Sequence, residues 1–443
     1  MYFKKLQNMR IVVPTAIISV LLIAASACAP PPGSPTTSGP VNNSAANKAA
    51  TPAPTQSPSI RIAFTLPLLD AMLGDEEFVN ELKTALPLND AELENLRKIA
   101  REGVSKLSDD PAEDDLRSTR AASDNAMRQI QQVLGNERTS KLVSLVDKRV
   151  AGDGTLSNAQ PNQVPTDTRI VVNAPAYRMD IFENGKLTQS YKVGIGYPEF
   201  PLPTGLRTAK SIIFNPTWTP PDEPWVKGKL EPGKTVKAGD KLNPLGPIKI
   251  PIGLPSLIHG GKSPARLGTF ASHGCVGLTN EQIQDFALKL SVLSGDAVSM
   301  DDIKGYAKNK TETQEVKLGQ PVPVELRYET IVVEDGVLKI YRDVYERATN
   351  TEENLKRILE IYGVSLDALP SDVKAKVLEG LEQMAIDAKG EAVDESSNGN
   401  TAKTNSNSGD GRVTRNIKGK KMVEFKLAEL AGKGYPAPVG VKM

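Results

Sequence analysis

Cysteine, histidine, aromatic residues and net charge are all scarce in this chain, and each scarcity excludes something. Its 443 residues hold two Cys and two His, 5% are aromatic, and the formal charge is +1. The first 27 residues carry Lys4, Lys5, Arg10 and no acids; without those three cations, 53 acidic residues outweigh the remaining basic ones and the charge falls to −2. No electrostatic footprint for nucleic acid remains, and nucleic-acid binding is excluded. Metal-ligand spacings such as Cys-x-x-Cys or His-Glu-x-x-His are absent, as is any repeat of fixed period. The low aromatic content fits long polar linkers. Otherwise 39% hydrophobic and 24% charged residues is an ordinary soluble balance. The length exceeds what one core covers, so two or three folded units plus linkers are expected.

The N-terminus reads as a targeting segment. Cations over residues 1–10 precede the apolar run Ile11–Ala27, which ends in small residues; that order is a secretory signal. Its 17 residues are marginal for a spanning helix. Ala25-Ser26-Ala27-Cys28 resembles the lipobox of bacterial lipoproteins, which makes Cys28 a lipidation site and anchors the chain to a membrane. An ordinary signal peptide with an incidental Cys28 is the alternative. Lipidation of Cys28 leaves Cys275 a free thiol in an oxidising compartment, where a lone reactive thiol suggests catalysis. The following segment, 28–58, is a Pro/Ser/Thr-rich tether with little apolar bulk. It spans about 90 Å as polyproline or about 30 Å as a flexible coil. The expected location is the cell envelope, lipid-anchored and facing the periplasm or cell-wall space.

The remaining chain divides by hydrophobic period. Residues 59–150 read as a helical accessory domain, with an Asn89/Glu92 capping pattern and a second helix around Met127–Leu134. A linker covers 151–167. From Ile170 the period changes to strands: Ile170–Val172, Tyr177–Phe182, an Asn184-Gly185 turn and Leu187–Val193. Short strands at Ser211–Phe214 and Ile248–Ile250 and a helix at Glu281–Leu290 follow. Val322–Val333 and Val337–Tyr341, joined by Glu334-Asp335-Gly336, read as a hairpin completing the same domain. Residues 351–389 are helical, 390–411 Ser/Asn/Gly-rich and disordered, and 412–443 a basic segment with Arg415, Lys418, Lys420 and Lys421, read as a solvated face or a small anion-binding hairpin. The fold class is α+β, a β-rich domain flanked by helical regions.

Both histidines cluster at the internal cysteine: His259 lies sixteen residues before Cys275 and His273 two before it. Three readings are open. Cys275 is a nucleophile, which attacks as the thiolate and needs a base nearby; Gly274 then lets substrate approach the backbone and exposes N–H groups to an oxyanion. Or two His and a Cys hold a zinc ion, against which stands the lack of any carboxylate between Lys262 and Thr279. Or the cysteine is inert and the histidines structural, which the clustering disfavours.

Ile258-His259-Gly260 followed by Ser272-His273-Gly274-Cys275 resembles the two-part signature of the L,D-transpeptidases with the YkuD-type catalytic domain. The resemblance extends to Ile170–Asn173, Phe182–Gly185, Val193–Gly196, Pro203–Gly205, Asn215–Pro221 and the hairpin Val333–Tyr341, and covers 168–346. It implies a sandwich-like β-rich domain, no cofactor and no metal. It implies peptidoglycan stem peptides as substrates: a cysteine thioester forms on a tetrapeptide stem, D-Ala leaves, and the acyl group passes to an amine, giving a 3-3 cross-link or an attached lipoprotein. An L,D-carboxypeptidase of the same fold and a non-catalytic wall-binding lipoprotein are the alternatives. Carried onto these positions, Cys275 is the nucleophile and His259 the proton donor and acceptor. The Gly260 carbonyl orients His259, His273 shapes the site, and the N–H groups of Gly274 and Cys275 line an oxyanion hole. Three positions depart from the family. Many members carry Arg where this chain has Gly277, and often Asn where Lys262 stands and Ser where Arg266 stands. Lys262 or Arg266 is therefore expected to hold the donor stem, with Trp218 and Trp225 as cleft-lining candidates.

Overall fold

The computed structural model describes residues 63–105, 119–151, 160–219, 234–253, 255–295, 298–310, 312–388, 390, 392–393 and 417–441. Cys28, the tether, Trp225 and Arg415 lie outside them. No helix among the described residues is long and apolar enough to cross a membrane.

Four helices open the chain: α1 (Leu66–Leu73), α2 (Glu76–Ala85), α3 (Asp90–Ser105) and α4 (Thr119–Ala151), the last interrupted at Gly135. The Asn89/Glu92 pattern forms a reciprocal cap: Glu92 N–H donates to Asn89 at 2.8 Å and Asn89 N–H to Glu92 at 3.1 Å, relieving two of the unpaired amides at a helix start. Helical spacing places Leu69, Met72, Phe78, Leu82, Leu96, Ile130, Leu142 and Val146 on inward faces, where all are fully buried. Each such side chain contributes roughly 1.5–3 kcal/mol.

An eight-stranded sheet follows, in the order β3-β2-β1-β10-β5-β6-β7-β9. Its strands are β1 (Arg169–Asn173), β2 (Arg178–Glu183), β3 (Lys186–Lys192), β5 (Gly205–Phe214), β6 (Ile248–Pro251), β7 (Leu257–His259), β9 (Val276–Gly277) and β10 (Gln314–Arg327). Asn184 and Gly185 both adopt positive φ, the backbone that a two-residue hairpin turn requires. β4 (Ile195–Gly196) and β8 (Phe270–Ser272) form a separate parallel pair. Helix α5 (Asn280–Leu293) begins on a Thr279/Gln282 capping box and buries Ile283, Phe286, Ala287 and Leu290 in the sheet's core, with α6 (Met300–Lys308) beside it.

The expected late hairpin is split between two sheets. Val322–Leu326 belongs to β10, which runs parallel to β1 and antiparallel to β5. Val333 belongs to β11 (Ile331–Glu334), which pairs with β12 (Val337–Tyr341) in a three-stranded sheet closed by β13 (Met422–Lys426). The physical reason is which core each strand fills. Val322, Val324 and Leu326 enter the core of the eight-stranded sheet, while Ile331, Val333, Leu338 and Ile340 face a separate cluster. That cluster is completed by α7 (Glu352–Ile361) and α8 (Ser371–Met384). The basic C-terminal segment therefore supplies a strand.

Candidate active site

Strand pairing brings the two halves of the motif together. β7 and β9 are parallel neighbours with Ile258 opposite Val276 and His259 opposite Gly277. Alternation along a strand puts Cys275, two residues before Gly277, on the His259 face. Among the described residues Cys275 is a free cysteine, half-buried immediately before β9.

The turn carrying it is closed by hydroxyls. Cys275 N–H donates to Ser272 Oγ at 3.0 Å, and Ser272 Oγ–H donates to the Cys275 carbonyl at 2.6 Å. Gly274 sits at φ +89, a left-handed backbone that a Cβ would strain. The Cys275 amide is thus engaged by Ser272. The Gly274 carbonyl accepts a 2.8 Å bond from Ser256 Oγ, itself buried. One peptide unit, Gly274–Cys275, is thus held at both ends by serine hydroxyls. Ser256 carried no signal in the sequence, since a serine in a Gly/Pro-rich loop is ordinary.

His259 is 3% exposed and its Nδ1 lies 2.7 Å from the Gly260 carbonyl. A carbonyl only accepts, so Nδ1 carries the proton and Nε2 presents its lone pair. Burial, and then the Lys262 charge, push this imidazole down to about 3, against the pull of the Gly260 and Leu245 carbonyls. Burial pushes the Cys275 thiol up, with a Leu257 backbone hydrogen bond and the Lys262 charge offsetting part of it. At neutral pH the resting pair is a neutral thiol beside a neutral imidazole, so the proton must move as the sulfur attacks.

The two expected substrate-holding cations part ways. Arg266 turns into the protein, donating to the Phe270 carbonyl at 2.5 Å and to Tyr197 Oη at 3.3 Å. The Lys262 stem lies over Gly277: a Cβ there would stand 2.8 Å from Lys262 Cγ and 2.9 Å from Cε. Its charge is the one felt by both His259 and Cys275. His273 is half-buried, its ring edge-on to Phe200 at 4.6 Å and Tyr197 at 5.1 Å. Trp218 is half-exposed on the β5–β6 connection, where its backbone pairs with Val236. No cluster of His, Cys, Asp and Glu suited to a metal ion occurs among the described residues.

Residues 167–324 match the YkuD family model, the L,D-transpeptidase catalytic domain, and this part of the chain is a YkuD-type L,D-transpeptidase catalytic domain. The match ends within β10, leaving the β11–β12 hairpin outside. No curated protein matches the chain. Similar solved structures include the catalytic domain of an E. faecium L,D-transpeptidase, at 18% identity and TM-score 0.24, covering 37% of this chain and 100% of that one. The Ldtfm-avibactam carbamoyl enzyme is similar at 17% identity and TM-score 0.23, covering 36% of this chain and 49% of that one. An L,D-transpeptidase from Mycobacterium smegmatis is similar at 16% identity and TM-score 0.22, covering 36% and 58%. The chain thus spans about half the length of two of these, and likeness at these scores carries nothing about substrate or mechanism.

Proposed function

We propose that this protein is a peptidoglycan L,D-transpeptidase working through a Cys275 thioester. The observation that carries the reading is His259, buried on the strand beside Cys275 with its Nδ1 committed to the Gly260 carbonyl. His259 Nε2 accepts the thiol proton as sulfur attacks the carbonyl preceding D-Ala of a tetrapeptide stem. The resulting oxyanion meets the Gly274 amide. As the tetrahedral species collapses, the C–N bond breaks, His259 returns the proton to the departing amine, and D-Ala leaves. An acceptor amine then attacks the thioester, His259 takes its proton, and the thiol is restored. His273 shapes the wall of the site.

Lys262 is the better candidate for holding the donor stem. The family's Arg and this chain's Gly277 read as one exchange: the Lys262 stem occupies the space that a side chain at 277 would take. The family resemblance and the N-terminal sequence further support an envelope protein anchored through acylated Cys28, with its tether lifting the domain toward the wall.

The test incubates the full chain with tetrapeptide stems, amine-bearing acceptor stems and water, following D-Ala and the products. Cross-linked dimer is expected, tripeptide alone would indicate the carboxypeptidase reaction, and D-Ala release by Cys275→Ala would end the thioester reading.

A further inference from the structure

The helical N-terminal region carries no chemistry of its own, yet two of its helices start against the catalytic turn's neighbour. Thr65, the N-cap of α1, donates its hydroxyl to the Glu199 carbonyl at 3.1 Å. Thr119, the first residue of α4, donates to the preceding carbonyl, that of Pro198, at 2.8 Å. Both threonines are fully buried. A third element joins them: the Glu346 carboxylate accepts the Thr119 amide at 2.7 Å and the Arg120 amide at 3.3 Å, capping α4 from more than two hundred residues away. The next residue back, Tyr345, donates its hydroxyl to the Gly196 carbonyl at 2.8 Å.

These contacts converge on Gly196–Phe200, a tight turn closed by Phe200 N–H to the Tyr197 carbonyl at 2.8 Å. Its other side is the catalytic turn. Phe200 and Tyr197 set their rings against His273. Gly196 packs so closely that a Cβ would stand 3.1 Å from the Gly274 nitrogen and 2.0 Å from the Phe200 carbonyl oxygen. The 196–200 segment is a wedge, gripped by helical-domain threonines on one face and pressing on His273 and Gly274 with the other.

We infer that Thr65 and Thr119 are positioning residues, through which the accessory helices hold the wedge that sets His273 and the Gly274 amide. The inference rests on the Cys275 reading above. It gives the accessory domain a part in acyl transfer without any contact of its own with substrate.

The experiment uses the full chain carrying Thr65→Val and Thr119→Val together, which removes both hydroxyls and keeps the branched shape, and compares it with Thr65→Ser and Thr119→Ser, which keeps them. Steady-state D-Ala release from a tetrapeptide stem is measured well below the melting temperature of each protein. The valine pair is expected to lower kcat about tenfold with little change in donor KM, and the serine pair to retain the wild-type rate. A folded valine pair with wild-type kcat overturns the inference, as does a serine pair that loses as much as the valine pair. Should the valine pair fail to fold, Phe200→Leu tests the other face of the wedge: a similar fall in kcat supports the inference and a wild-type kcat overturns it. Cys275→Ala is run alongside. Turnover there defeats the thioester reading itself, whereas an inactive Cys275→Ala beside a fully active valine pair defeats only this inference.

Discussion

Two buried parts of this molecule treat polar groups in opposite ways. Where the catalytic sheet meets the C-terminal sheet, charge is paired with charge. Arg178 lies 2.8 Å from Asp180 and 2.6 Å from Glu334, Lys339 lies 2.5 Å from Glu334, and Arg327 lies 2.6 Å from Glu325. Tyr435 donates to Asp180 at 3.1 Å, with both guanidiniums over its ring. At the catalytic turn the work is done by hydroxyls, amides and carbonyls: Ser256, Ser272 and the Gly260 carbonyl. Lys262 contributes charge there from its perch over Gly277. The difference separates two tasks. Ion pairs join modules at fixed geometry, whereas neutral partners hold a thiol in place without ionising it before substrate arrives.

The contrast can be broken from either side. Arg178→Leu leaves the buried Asp180 without its cation and Glu334 with Lys339 alone, and should cost about 3–5 kcal/mol in urea denaturation while leaving activity per folded molecule near wild type. Lys262→Met removes the cation and keeps the stem over Gly277; donor KM should rise about tenfold with stability little changed, as steady-state kinetics would reveal. Ser256→Ala leaves the buried Gly274 carbonyl unpaired, so stability should fall by about 1–2 kcal/mol and kcat with it, while Ser256→Thr recovers part of both.

Acid sensitivity sharpens the comparison further. The unfolded imidazole of His259 takes a proton near pH 6.5, but the folded one resists until about 3. Between those values the unfolded state binds more protons, so stability falls as pH falls. His259→Gln should therefore lose less stability between pH 7 and pH 4 than the wild type, measured as the difference in denaturation midpoints. The raised thiol makes the opposite demand: the rate of Cys275 alkylation by iodoacetamide should rise with pH through a midpoint above that of a free thiol.

How much of this was legible in the sequence depends on the distance over which each relation acts. His259, His273 and Cys275 stand within one short segment, and their motif could be read directly. So could the Asn184-Gly185 turn and the Asn89/Glu92 cap, which are local. Ser256 became visible only when its hydroxyl was seen on the Gly274 carbonyl, and the Gly277 departure made sense only with the Lys262 stem lying across it. The late hairpin forms as β11–β12, but Val322–Leu326 lies in another sheet and the hairpin fills another core, because alternation identifies strands but not which core they fill. β13 pairs with β12 across some eighty intervening residues, and the threonine wedge joins residues 65, 119 and 346; no spacing rule links positions so far apart.

The central claim is that Cys275 carries the acyl group. The most direct measurement is the intact mass of the full chain after brief exposure to a tetrapeptide stem, followed by peptide mapping. The account predicts a mass increase equal to the donor less D-Ala, localised to the peptide containing Cys275 and lost in Cys275→Ala. An adduct that persists in Cys275→Ala, or D-Ala release with no covalent adduct at any time point, would contradict it.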